Sequence, residues 1–163
     1  MDELDPRKVE EAFRHLWRVG PVGEDWAAQA ALFTEDAVYV DHYYGRKTPA
    51  EFPTWCTQLM NEEFPEIYTV YEWHVVDGNR VIVHMQNRRD NPEPGGLPFD
   101  FPGITVYEYA RDGRWSYEMD YWRVAQAGRA GRAYRDAAAR FDPDHPRKRS
   151  RQHWPDTPDW AHP

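Results

Sequence analysis

A chain of 163 residues is sized for one domain, and its formal net charge of −8 argues against nucleic-acid binding, which needs clustered cations. Hydrophobic residues make up only 40%, but aromatics reach 15% with eight Trp, so rings burying roughly 150–250 Å² each can supply the core. No apolar run approaches the roughly 20 residues of a membrane span, the charged first ten residues are unlike a signal peptide, and the single Cys56 excludes an internal disulfide, which fits a cytoplasmic protein.

Apolar residues at 9, 12, 13, 16 and 17 have the spacing of one helical face, and the helix is expected to stop near Gly20-Pro21. Asp25 is the expected N-cap of a second helix, with Trp26, Ala30 and Phe33 on one face. Residues 32–45, LFTEDAVYVDHYYG, then read as a helix end, an acidic turn and a strand over 38–44. In that strand Tyr39, Asp41 and Tyr43 share one face, and Val38, Val40 and His42 the other. A carboxylate in the middle of an aromatic, β-branched strand is costly to bury unless paired, so Asp41 marks a pocket.

Thr48 and Pro49 open a third helix whose apolar face is Phe52, Trp55, Cys56, Leu59 and Met60, closed by Phe64-Pro65. Cys56 reads as a small buried hydrophobe. Strands over 68–76 and 80–88 flank an Asp77-Gly78-Asn79 turn, and strands over 104–110 and 114–122 flank Arg111-Asp112-Gly113. Residues 91–102 hold four prolines and two glycines and read as a loop or edge crossing. Helices followed by consecutive antiparallel strands indicate an α+β fold. An alanine- and arginine-rich helix over 129–141 and a proline-rich tail with Trp154 and Trp160 follow. The tail reads as a segment that contacts its own domain or a second subunit; the basic cluster around Lys148 is a weaker candidate for a nucleic-acid arm.

The helix-helix-strand-helix start, LFTEDAVYVDHYYG, and two hairpins ending in YEMDYWR resemble the nuclear-transport-factor-2-like superfamily, and within it the SnoaL-like group. The resemblance spans residues 9–124, so the chain divides into a domain over 1–124 and a C-terminal helix and tail over 125–163. It implies a cone: a strongly curved antiparallel or mixed sheet wrapped around three N-terminal helices, with an apolar pocket at the open end. Asp41 matches the general base of ketosteroid isomerases, and Asp120 the last-strand acid of limonene-epoxide hydrolases and SnoaL-like cyclases. Phe13 stands where the isomerases carry an oxyanion-hole tyrosine, and His84-Met85-Gln86 where the hydrolases carry Arg-x-Asp, so neither mechanism transfers whole.

Two carboxylates at one cavity can have their acidities pushed apart, which suits isomerisation, cyclisation, dehydration or epoxide opening without a cofactor. Asp41 is the expected base and Asp120 the acid, with His84 a candidate proton carrier or orienting group. Alternation puts His84 with Gln86 and Arg88 on one face and Val83, Met85 and Asn87 on the other, and leaves open which looks inward. Phe13, Trp17, Tyr39, Tyr43, Trp55 and Leu59 form the expected wall for an apolar ligand. The histidines lack metal-ligand spacing, so no metal is expected. A homodimer is expected, because the sheet leaves an aromatic outer face uncovered. The rival reading is a non-catalytic ligand-binding or dimerisation domain.

Overall fold

The computed structural model describes residues 5–144 and 157–162. Trp154 and the basic cluster around Lys148 lie outside the described residues. Helix α1 (Pro6–Trp17) begins with Asp5 as N-cap, its carboxylate accepting from the Arg7 N–H at 3.0 Å. Its buried residues Val9, Phe13, Leu16 and Trp17 form the expected stripe. The chain does not stop at Gly20-Pro21. It runs on as a π turn over Arg18–Val22, which keeps Gly20 and Val22 in the core, and the left-handed residue that ends it is Glu24, at φ 54°.

Asp25 caps α2 (Trp26–Ala31) as expected, but that helix is too short to include Phe33. Strand β1 therefore starts at Phe33 and runs to Asp41, ending three residues earlier than the sequence suggests, with β2 at Gly45–Lys47. The reason lies in Asp41 itself, whose side chain accepts from the N–H groups of Tyr43 and Tyr44 and turns the chain out of the strand. Helix α3 (Phe52–Cys56) starts later than Thr48, which instead forms a capping box with Glu51, and a π turn over Thr57–Glu63 extends it.

Strands β3 (Tyr68–Asp77), β4 (Arg80–Arg89), β5 (Phe99–Arg111) and β6 (Arg114–Trp122) complete a six-stranded mixed sheet, ordered β2-β1-β6-β5-β4-β3. Only β1 and β6 pair in parallel. Strand β5 takes in residues 99–103 of the expected loop region and its flank; Pro102 is tolerated because β6 pairs with β5 only from Gly103 onward. Helix α4 (Val124–Phe141) starts five residues earlier than expected and packs on β5. The curved, unclosed sheet with its helices is the cone implied by the sequence.

The main core sets α1 against Val81, Val83, Tyr107 and Trp115 of the sheet. The segment 157–162 joins it: Ala161 is buried, and Trp160 lies edge-on to Phe13 and Tyr71 at 5.8 and 4.8 Å. A second cluster of Trp26, Tyr39, Phe52 and Cys56 holds α2 and α3 to β1.

Gly20 has a specific steric role, since a Cβ there would stand 1.8 Å from Gln29 Oε1, which is itself buried. Gly20→Ala is expected to lower the unfolding free energy by about 1–3 kcal/mol, the usual cost of overpacking, because Gln29 must move to make room. Urea unfolding checks this, and an unchanged midpoint would show that the side chain relocates freely.

Candidate active site

Between the sheet, α3 and α4 lies a cavity of about 390 Å³. Strand alternation decides what enters it: β6 turns Glu118 and Asp120 inward and Met119 outward, with the exposed Tyr121 bordering the cavity at its edge, and β5 turns Thr105 and Tyr107 inward. Asp120 accepts from the Tyr39 hydroxyl at 2.6 Å through Oδ2 and from the Thr105 hydroxyl through Oδ1. Burial pushes its carboxyl up to about 6, nearby Asp41 adds to the rise, and the two hydroxyls partly oppose it.

Glu118, two residues away on the same face, is 4% exposed. It accepts from Gln29 Nε2 at 3.3 Å and is hydrogen-bonded by Tyr107. Burial first, and then Asp120, push it well above the ordinary carboxylate range, favouring its neutral form. Burial likewise raises Tyr39 and Tyr107, so both keep their protons as hydrogen-bond donors. Burial also raises the Cys56 thiol, which leaves it unreactive.

Asp41 lines the same cavity, pairs in register with Asp120, and has no ion pair with an arginine among the described residues. Its oxygens are nevertheless occupied: Oδ1 accepts from the Tyr43 and Tyr44 N–H groups at 2.7 and 2.8 Å, and Oδ2 from Trp122 Nε1 at 3.0 Å. The geometry makes it the anchor of the turn at the cavity mouth.

Trp17, Tyr39, Trp55 and Leu59 line the cavity as expected, and Tyr43 stands at its mouth, 59% exposed and no longer on the strand face of Asp41. Two expected site residues are elsewhere. Phe13 is fully buried beneath Trp17, packed on His74 and Trp160. His84 is on the outer face, because Val83 and Met85 take the inward positions; its Nδ1 lies 2.5 Å from Glu72 Oε2, and its ring stacks on Trp73. The expectation that His84 serves either aspartate is therefore replaced by a surface pair with Glu72.

Sequence reasoning overlooked Glu118, Thr105, Gln29 and Arg89. Glu118 was findable, since Glu-x-Asp in a strand puts two carboxyls on one face. Gln29 carried no signal, because a glutamine in an amphipathic helix is ordinarily solvated. Among the described residues no cluster of three or more His, Cys, Asp or Glu could hold a metal ion, and no helix is long and apolar enough to cross a membrane.

A family model described as the SnoaL-like domain matches residues 9–118. No curated protein matches the chain. Similar solved structures include an epoxide hydrolase of M. tuberculosis like limonene-epoxide hydrolase, at 18% identity and TM-score 0.61, covering 82% of this chain and 96% of that one. A Jannaschia sp. CCS1 protein assigned as a SnoaL-like polyketide cyclase matches at 19% and 0.61, covering 80% and 96%. A Catenulispora acidiphila DSM 44928 protein with a ketosteroid-isomerase-like fold, solved with trimethylamine, matches at 22% and 0.55, covering 70% and 90%. At these identities the likeness is one of fold.

The raised pKa of Asp120 has a consequence for stability. The folded value exceeds the ordinary 3.8, so the native state holds the extra proton between there and about 6, and stability is lost as pH rises through that window. Asp120→Asn is expected to flatten this loss, its melting temperature falling less between pH 5 and pH 8 than that of the unaltered protein. Parallel melting curves for the two proteins would count against it.

Proposed function

This chain belongs to the SnoaL-like domain family, and we propose that it is a small enzyme using acid–base chemistry, without a cofactor, on an apolar small molecule. The observation that carries the reading is Asp120, placed in the cavity with a carboxyl near 6 and held by two hydroxyls instead of a cation. Such a group is mostly ionised at neutral pH yet basic enough to take a proton in a transition state. Asp120 removes a proton from carbon or oxygen of the bound molecule, and Tyr39 and Thr105 keep its two oxygens in place. Tyr39, which retains its own proton, can shift its hydrogen bond to an oxygen that gains charge during the reaction.

Returned to a different carbon, the proton gives isomerisation; delivered to a departing hydroxyl, dehydration; delivered to an oxygen after carbon attack, cyclisation; taken from water, epoxide opening. Glu118 supports Asp120 from within the wall, since a neutral acid there spares Asp120 the repulsion of a second charge. Asp41 is assigned a positioning role, holding Trp122 and the Tyr43-Tyr44 turn around the entrance. The second reading, a non-catalytic binding domain, draws support from the same fact: every oxygen of Asp41 and Asp120 already has a partner in its own chain.

Screening terpenoid, steroid and polyketide-like compounds for turnover tests the proposal. With a substrate in hand, Asp120→Asn should lower kcat by about 10²–10⁴-fold, the usual contribution of a positioned acid or base. The kcat/KM profile should show an ionisation near pH 6 that the variant lacks. Turnover unaffected by Asp120→Asn would favour the binding domain.

We further propose the homodimer expected from the sequence. Across four strands, Trp73, His84, Ile104 and Tyr121 are register partners in one lateral row on the outer face. Three of them are exposed apolar or aromatic residues, Trp73 at 47%, Ile104 at 38% and Tyr121 at 51%, the last two also bordering the cavity. Sedimentation at micromolar concentration should give a dimer that Ile104→Glu converts to monomer. A monomer before substitution would remove the proposal.

A further inference from the structure

At the opposite end of the cavity from Asp120 stands a group of cations with no assigned role. Strand β4 turns Asn87 and Arg89 inward, and both line the cavity. Arg89 is only 4% exposed. Its Nε donates to Glu66 at 2.9 Å, and its guanidinium lies over the rings of Phe64, Phe101 and Tyr134. Its Nη1 is buried with no hydrogen-bond partner among the described residues. A guanidinium donor left unpaired in such surroundings loses hydration without compensation, an arrangement that a bound acceptor would repair.

Helix α4 brings two more guanidinium groups to the same end. Arg132 and Arg135 line the cavity, and neither has an ion pair among the described residues. Their Nη1 atoms lie 3.5 and 3.4 Å from where a Cβ would stand on Gly128 and Gly131, so the glycines let these side chains fold back over the helix. Arg89 Nη2 is 3.8 Å from the same point at Gly131, which brings Arg89 and Arg135 to one place. Gly103 plays a similar part for Asn87, whose amide nitrogen stands 3.0 Å from the position of a Cβ there. Of the acids at this end, Glu66 is engaged by Arg89 and Asp100 by Arg88, Asp90 accepts from the Tyr68 hydroxyl, and Asp142 acts on Tyr134.

We propose that this end of the cavity binds a carboxylate, so that the molecule acted on is an elongated apolar acid held by Arg89, Asn87, Arg132 and Arg135. The inference rests on the catalytic reading only for its orientation. A planar guanidinium matches a carboxylate in two-point geometry, and the ring-lined site lowers the screening between them. Asp41 and Asp120 repel the same group at the other end, so one orientation is selected. Asp120 is level with Val83 across the sheet, and Arg89 lies six residues farther along β4. That is at most about 20 Å of extended strand, shortened by the curvature. The reacting atoms therefore sit at the far end of the molecule from its carboxylate.

Titration of the full chain with 2-naphthoate and biphenyl-4-carboxylate against their primary amides tests this, read by tryptophan fluorescence and calorimetry. The carboxylates should bind roughly tenfold or more tightly than the amides, with affinity falling as salt is raised. Arg132→Ala/Arg135→Ala, on the exposed side of α4, should weaken the carboxylates and leave the amides unchanged. Arg89→Met strands Glu66, so Arg89→Met/Glu66→Gln is its folded counterpart and should abolish the preference. Equal binding of acids and amides, no binding of the acids, or a preference that survives both double variants would overturn the proposal. Asp120→Asn should keep the preference, so loss of turnover and loss of acid recognition are separable failures.

Discussion

The structure depends on keeping two carboxyl groups, Glu118 and Asp120, inside a largely aromatic wall with no lysine or arginine paired to either among the described residues. Burying an anion costs far more than burying an amide unless something compensates. The compensation here comes from neutral donors on separate elements: Gln29 from α2, Tyr107 and Thr105 from β5, and Tyr39 from β1. A guanidinium would have drawn both acids down into permanent ionisation. Hydroxyls and an amide satisfy their geometry while leaving Asp120 poised near neutrality. Gly20, in the π turn, makes room for the Gln29 side chain that reaches Glu118.

The second organising element is the turn after β1. Asp41 gathers three N–H donors from Tyr43, Tyr44 and Trp122, which fixes the mouth where the sheet meets α3. Trp122 is packed on its other sides by His42, Tyr43, Tyr44 and Phe101. Aromatic framing of this kind holds the shape of the entrance above the buried carboxyls. The two aspartates thus share a cavity and differ in setting, Asp41 held by backbone and indole N–H groups at the rim and Asp120 by two hydroxyls below.

The fold was legible where periodicity was strong. The stripe of α1, the Asp25 cap, both hairpin turns and the last-strand YEMDYW were read directly, and the family pattern supplied the cone. Boundaries failed where a local side-chain bond overrode propensity. Asp41 ended β1 early by capping its own turn, and Gly20-Pro21 did not break the first helical stretch because the π turn kept Val22 buried. Asp120 stands out in the sequence because the family resemblance implies a last-strand acid, and the structure places it in the cavity. Glu118, beside it, was overlooked although the same alternation places it. His84 was misread because period two says which residues share a face and not which face is inside; only the burial of Val83 and Met85 decides that. Arg89 could not have been chosen over Arg88, since adjacent arginines in a strand are interchangeable until the sheet is assembled.

Strand β6 also divides interior from exterior with a single thickness of backbone. Asp120 and Tyr121 are consecutive, one facing the cavity and the other exposed on the outer row, and their Cα atoms are separated by one peptide of about 3.8 Å. His42 ties the two sides further, its ring stacked on Tyr121 and its N–H bonded to the Asp120 carbonyl at 3.3 Å. A contact made at that tyrosine therefore falls one residue away from the Asp120 carboxyl, across a single layer of backbone.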